Sequence, residues 1–516
     1  MTKVAVDYSR STLAANLPQV AAREQAIGAA LVRSFDYGSL SMTQRIISVP
    51  TSSLARAESL LRTQAGVLSV AVTGERRYKL TSTNPYWPND PFFRGFTALQ
   101  NQSAGNPAVN TFEVAPYAEA SAAPGEWDMH AIGLEHAFGY VNGGTGIGAT
   151  ANALGSSSIK IAIIDTGVDA SHPELTSKIN HEACFITSAI APYPLSTGNF
   201  STDYLGHGTD VAGIAAEAGD NGLGFAGAGG KALIYAYRVF PTPDDNCAIE
   251  GTLDVQCSSD TSDIASAIDD AVTQGVNIIS MSLGGGSCSG GVDSDPAERA
   301  AVANALSHNI IVVAAAGNAG TGTVDAPACI TNVIAVGATG LDDGVATGTS
   351  GYTRTVTGAS AANPIEYVAS YSQYGSPNTL HSAGSWGIVA PGGDPATSET
   401  TGTPDDLHWI ENIWTSTPYQ SSPSDTAFTG NCNGDNPLET GAADCRTLIA
   451  GTSMATPHVA GAAALILAVN PSYGTPAAMK QLLCQTADDL GDTHQGCGRL
   501  NVYRAMAVAL GDTPLP

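Results

Sequence analysis

The chain has 516 residues, room for roughly three average domains, and its 43% hydrophobic content allows a large buried core. Only 13% of residues are charged, which excludes a disordered chain, and the best apolar runs, IIVVAAAG (310–317) and GAAALILAV (461–469), fall far short of the about 20 residues of a membrane span. The net charge of −26 argues against nucleic acid as a partner, because phosphates need a basic face.

That charge is unevenly spread. Residues 1–83 carry 10 basic and 5 acidic side chains, a net of +5, which leaves −31 for residues 84–516. A cationic N-terminal segment thus precedes a strongly anionic body. The opening MTKVAVDYSRSTLAANL has no continuous apolar stretch of the signal-peptide kind. If the protein is secreted, Met1 is expected to stand where a signal was removed.

The first forty residues match no pattern. Residues 44–80 read as strand, helix and strand: QRIISVP is β-branched, SSLARAESLLRTQAG opens on a Ser N-cap with helical apolar spacing and ends in Gly, and VLSVAVTG alternates. A turn-rich connector follows to about residue 125, and such a stretch is cleavable.

From residue 159 the pattern changes. SIKIAIIDTG, ALIYAYRVF (232–240), VNIISMSLGGG (276–286), NIIVVAAAGN (309–318) and NVIAVGA (332–338) are short apolar runs ending at polar or Gly residues. Helical segments such as 262–275 and 296–309 lie between them. Buried strands alternating with helices predict an α/β fold, a doubly wound and mainly parallel sheet covered on both faces. Its site is expected at the C-terminal ends of the strands.

Nine cysteines occur without a CxxC motif, so zinc and thioredoxin-like redox sites are not expected. The local pairs Cys247/Cys257, Cys432/Cys445 and Cys484/Cys497 suit small disulfide-closed loops of an oxidising compartment, with reduced thiols as the other reading. Cys184 is the expected orphan.

Three segments concentrate chemistry: IAIIDTGVDASHPEL (161–175), GHGTDVAGIAA (206–216) and GTSMATPHVAGAAAL (451–465). A serine hydroxyl becomes nucleophilic when an imidazole takes its proton, and a carboxylate must hold that imidazole in the right tautomer. Ser453 precedes an apolar helical run, and backbone N–H groups at such a helix start favour a developing negative charge.

With DTG at Asp165, HGT at His207, GTSMATPHVAG at Ser453 and AAAGN at Asn318, in the order Asp…His…Ser, the chain resembles the subtilisin-like serine peptidases, the subtilases, over about residues 86–510. The resemblance implies a three-layer α/β/α catalytic domain over 127–516, in which Ser453 attacks the scissile carbonyl, His207 is base and then acid, and Asp165 orients His207. Asn318 and the Ser453 N–H would form the oxyanion hole. Ser282, Leu283, Gly284 and Gly285 on one side, and Ala315, Ala316 and Gly317 on the other, would flank an extended substrate. Asp325 aligns near the bottom of the pocket for the side chain before the cleaved bond, where a carboxylate favours Lys or Arg; the other reading is a surface Asp in a shortened loop. Glu174 and Asn221, with Asp220 nearby, match positions that hold a structural calcium in relatives, against a solvated acidic loop. No cofactor is implied for catalysis.

The resemblance also divides the N-terminus: residues 1–40 of unnamed role, 41–83 as a small α+β inhibitory propeptide cut somewhere in Lys79–Pro88, and 84–126 as the mature N-terminal segment and linker. The expected partners are protein or peptide substrates and the chain's own propeptide, with no nucleic acid or membrane, in an extracellular monomer. Asp210 stands where the family often has a second His, and 340–365 and 394–446 read as insertions. His458, five residues past Ser453, reads as packing. A lipase-like esterase would carry Gly-x-Ser-x-Gly, which is absent. A subtilase fold that binds peptides without cleaving them remains the alternative.

Overall fold

The computed structural model describes residues 2–37, 42–63, 67–72, 90, 126–138, 155–186, 196–198, 201–203, 205–240, 259–342, 365–394, 409–416 and 445–511. These fall into two units, Met1–Lys79 and Leu80–Pro516.

The first unit runs β1 (Thr2–Ser9), α1 (Arg10–Ala26), β2 (Ala30–Tyr37), β3 (Met42–Val49), α2 (Leu54–Arg62) and β4 (Val67–Val72). Its antiparallel sheet has the order β2-β3-β1-β4, a split βαβ arrangement. Leu13 and Val20 of α1 and Ala57 and Leu61 of α2 meet Val6, Tyr8, Ile47, Val49 and Val70 of the sheet in one core. The expected strand, helix and strand of residues 44–80 are β3, α2 and β4. A division at residue 40 does not hold: β1 pairs with both β3 and β4, so residues 2–37 belong to the same unit. The sequence hides this because α1 contains Pro18 and departs from helical geometry at Asn16 (φ −125°, ψ 17°). Arg45 grips Glu24 through two hydrogen bonds of 2.9 and 2.6 Å, with both side chains nearly inaccessible, and so ties β3 to α1.

In the second unit, α3 (Trp127–Ala131) and α4 (Leu134–Phe138) precede a nine-stranded sheet. Its parallel members are β5 (Lys160–Asp165), β6 (Ile179–Ile186), β8 (Leu233–Arg238), β9 (Ile278–Met281), β12 (Ile311–Ala315), β13 (Ile334–Asp342) and β15 (Gly387–Pro391). Two short antiparallel strands, β7 (Ser196–Gly198) and β14 (Ile365–Val368), join β6 and β13. The order is β14-β13-β12-β9-β5-β8-β6-β7, with β15 also on β13. Two hairpins stand apart, β10 (Cys288–Ser289) with β11 (Val292–Asp293), and β16 (Ile410–Ile413) with β17 (Arg446–Ile449).

The central strands are apolar throughout because both faces are covered. One face packs against α5 (His207–Ala216), α8 (Thr452–Val469), α9 (Pro476–Thr486) and α10 (Val502–Ala509); the other packs against α6 (Thr261–Thr273) and α7 (Pro296–Ser307). This is the expected three-layer α/β fold. Helix α8 has the length and hydropathy of a membrane span, but 83% of it is buried inside the domain. Its Gly461 lies against α5 and the 228–229 turn, where a Cβ would come within 2.6 Å of Ala228 Cβ and 2.7 Å of Ala215 O.

Cys484 and Cys497 are bonded as expected, and Cys288 is joined to Cys329. Cys184 is buried and forms no disulfide among the described residues. Cys445 is disulfide-bonded, while Cys247, Cys257 and Cys432 lie outside the described residues, as do most of the two insertions and the stretch Lys79–Pro88.

Candidate active site

Asp165 ends β5 and is 1% exposed; the next backbone N–H, of Thr166, donates to its Oδ1 at 2.7 Å. The same oxygen meets His207 Nδ1 at 2.7 Å. His207 opens α5, and the start of that helix is fixed by Asp203, which lies just outside the 206–216 motif. Asp203 Oδ1 accepts from Gly206 N (2.9 Å), and its Oδ2 accepts from Thr209 N (2.9 Å) and Thr209 Oγ1 (2.6 Å). Thr166 Oγ1 donates to Asp203 and accepts from Gly208 N, so the Asp165 and His207 turns are sewn together. The signal in sequence is an acid four residues before His207, close enough to reach the free N–H groups of the helix start.

Burial alone would lower the His207 pKa, but the charge and hydrogen bond of Asp165, with Asp210 and Asp203 behind, lift it to about 9. Asp210, one turn along α5, is fully buried, and its carboxyl oxygens have no hydrogen-bond partner among the described residues. Burial holds that carboxyl well above the usual range, with the nearby His207 opposing. The carboxylate bonded to His207 is Asp165.

Ser453 lies in the first turn of α8. Its Oγ donates to Ser282 O at 3.2 Å while Ser282 Oγ donates to Ser453 O at 2.6 Å, a reciprocal pair that holds the serine against the end of β9. No Ser453–His207 hydrogen bond occurs among the described residues; substrate-free sites are often loose at this contact. Asn318 follows β12. Its Oδ1 accepts from Thr452 N (2.9 Å) and Thr452 Oγ1 (2.8 Å), so its Nδ2 must face the other way. A Cβ placed on Gly451 would lie 3.5 Å from Asn318 Nδ2 and 3.6 Å from Ser453 N. Both nitrogens therefore lie within 3.6 Å of one point at Gly451, and Thr452 is what orients the Asn318 amide.

The two expected substrate walls follow the paired strands β9 and β12. Leu283, Ala315 and Ala316 are buried, and Gly284 and Gly285 are exposed. The Gly285 N–H donates to Ala326 O at 2.9 Å, so this amide is committed to the wall itself. Gly317, at φ +110°, has no room for a side chain: a Cβ there would come within 2.5 Å of Asp325 Oδ2 and 2.1 Å of Gln373 Oε1. Asp325 is thus half-buried against the substrate walls. His458 is fully buried, bonded to Met454 O (2.8 Å) and Asp128 (2.9 Å), and ties α8 to α3.

On another side of the domain, Glu174 and Asp90 are both inaccessible. Asp90 accepts from the backbone N–H groups of Asp220 (2.6 Å), Asn221 (3.1 Å) and Gly222 (3.3 Å), and Asn221 Nδ2 donates to Glu174 at 3.1 Å. Asp220 itself is exposed and joins through its backbone. Among the described residues no three acidic, His or Cys side chains converge as a metal cage. Asp90 was not a sequence candidate, because only folding carries it 130 residues along the chain to this loop.

The profile of the Subtilase family matches residues 156–498. Thermitase of Thermoactinomyces vulgaris is 30% identical over 68% of this chain and 89% of its own length. Halolysin of Haloferax mediterranei is 33% identical over 70% of this chain but only 51% of its own length, so the match spans about half of that relative. Among solved structures, a protease of Pseudoalteromonas arctica is 25% identical, covers 68% of this chain and 90% of its own, and has a TM-score of 0.49. With the family profile matched across the span that holds Asp165, His207, Asn318 and Ser453, the chain belongs to the subtilase family of serine peptidases.

Proposed function

We propose that the protein is a secreted serine endopeptidase made as a self-processing zymogen. The observation that carries this is the pairing of a 2.7 Å Asp165–His207 contact with Asn318 Nδ2 and Ser453 N, both within 3.6 Å of one point at Gly451. Ser453 Oγ bonds to the scissile carbonyl carbon as its proton passes to His207 Nε2. The carbonyl oxygen takes the negative charge between Asn318 Nδ2 and the Ser453 N–H. His207 then gives its proton to the departing amine, leaving an acyl-serine. Water enters by the same base catalysis and releases the acid. Asp165, bonded to Nδ1, keeps the Nε2 side free for these transfers and stabilises the imidazolium.

The N-terminal unit is read as the propeptide, on its independent fold, its +5 charge and its position before a turn-rich connector. Disulfides support an oxidising, extracellular destination. Calcium is proposed as a structural ion. Glu174, Asn221 and Asp90 offer hard oxygens, and the buried Asp90 carboxyl, raised to about 7 by burial against three N–H bonds, would be charged more readily beside a cation. The ion would neutralise these acids and fix the loop. The alternative of a silent peptide-binding protein lacks support from an incomplete triad.

An intact-mass time course of refolded wild type beside Ser453→Ala tests the reading. Loss of about 80–90 N-terminal residues, the unit cut within the start of its connector, in wild type only is the expected result. Equal processing of both chains would assign the cut to another protease.

A further inference from the structure

We infer that Asp325, held in place by Gln373, makes this an endopeptidase that cleaves after Lys or Arg; the inference rests on the peptidase reading above.

The carbonyl under attack lies between Asn318 Nδ2 and the Ser453 N–H, so the side chain carried by that same substrate residue must drop beside Gly317, the neighbour of Asn318. There it enters the gap between 282–285 and 315–317. The wall of that gap is built by the segment 324–327. Asp325 N donates to Ala316 O (3.0 Å), and Gly285 N donates to Ala326 O (2.9 Å), so the segment is stitched to both strands. A Cβ on Gly284 would sit 3.4 Å from Asp325 Cβ, and one on Gly317 would sit 2.5 Å from Asp325 Oδ2. The carboxylate therefore faces the space between the two glycines rather than bulk solvent alone. The disulfide Cys288–Cys329 joins the chain just beyond each wall.

Gln373, itself 4% exposed, fixes the carboxylate. Its Nε2 donates to Asp325 Oδ1 (3.0 Å) and to Thr323 O, its Oε1 accepts from Ala319 N (3.2 Å), and its own N–H donates to Gly317 O (2.9 Å). One carboxyl oxygen is thus committed and the other points at the pocket. No ion pair reaches Asp325 among the described residues, so none of them supplies its carboxylate with a cation. A long side chain with a charged tip fills that need: its stem covers the glycines and its head meets Oδ2. An apolar side chain of the same length would desolvate the carboxylate without compensation. Burial raises the Asp325 pKa, with the Gln373 bond opposing, so the preference for a cation should weaken as pH falls through its ionisation.

The test is kcat/KM on matched peptides with Arg, Lys, Leu or Phe before the cleaved bond, with active sites counted by a fluorophosphonate. It runs beside mass-spectrometric mapping of cuts in a denatured protein. Wild type should favour Arg and Lys by about 10- to 100-fold, the range for one charge-assisted contact, and Asp325→Asn should lose most of that ratio. p-Aminobenzamidine fluorescence gives a second readout: binding should weaken by a like factor in Asp325→Asn. A wild-type preference for Leu or Phe, or a ratio unchanged in Asp325→Asn, overturns the inference. Should Asp325→Asn fail to fold, the wild-type cut map decides alone. Absence of fluorophosphonate reaction would sink the peptidase reading instead, while p-aminobenzamidine binding would still report on the pocket.

Discussion

The amide of Asn318 can present either oxygen or nitrogen to a carbonyl, and the two Thr452 donors leave only the nitrogen. Asn318→Ala is therefore expected to lower kcat by about 10²–10³-fold with little change in KM, a magnitude set by the equivalent loss in subtilisin itself; equal loss in KM would mean that the side chain serves binding. His207 supplies a pH prediction. Catalysis needs the neutral imidazole, and the His207 pKa lies above its ordinary value, at about 9. The limb of kcat/KM should rise with pH through the alkaline range rather than level off near neutrality, as stopped assays from acid to alkaline pH would show. Replacing Asp210 by Asn should move this limb to lower pH, because Asp210 is one of the acids whose charge raises the His207 pKa.

Among the elements, α8 carries Ser453, the proposed nucleophile, and depends on close contact with α5. Gly461→Val would drive a branched side chain into the Ala228 and Ala215 backbone region, where even a Cβ has only 2.6–2.7 Å. Overpacking of this kind costs about 1–3 kcal/mol and should lower the urea midpoint accordingly. In the N-terminal unit the Glu24–Arg45 pair is the corresponding fixed point. Arg45→Ala leaves a buried carboxylate uncompensated and should cost that unit about 3–5 kcal/mol. Urea unfolding of the unprocessed Ser453→Ala chain would place this loss in one transition and leave the catalytic transition alone.

For the whole molecule, the opposite charges of residues 1–83 and 84–516 predict that, if the N-terminal unit acts as the proposed inhibitory propeptide, its inhibition has an electrostatic part. Its inhibition constant, measured with the unit added in trans to the mature enzyme, should weaken as salt rises past about 0.15 M, where screening acts within about 8 Å. Inhibition insensitive to salt would assign docking to apolar contacts. A calcium ion at Glu174, Asn221 and Asp90 predicts a second effect. Melting in excess calcium should occur well above melting in chelator, by the equivalent of about 2.7 kcal/mol at a hundredfold excess over the dissociation constant. Equal Tm values in both would remove the ion from the account.

The sequence by itself determined the parallel α/β core, because strands buried on both faces leave uninterrupted apolar runs such as IAII and IIVVAAA. It also singled out Asp165, His207, Asn318 and Ser453 as the candidate site, since each sits in a Gly-rich turn whose local chemistry is written in a few adjacent residues. Tertiary structure alone decided which distant groups serve them: Asp203 at the start of α5, Thr452 behind Asn318, Gln373 behind Asp325 and Asp90 beside Glu174. It likewise joined residues 2–37 to the following strands, because a central strand takes its register from partners on both sides and the kinked α1 masks its own periodicity. Local patterns record what a residue does to its own backbone, whereas a hydrogen bond between distant parts of the chain leaves no trace until folding has closed the loop between them.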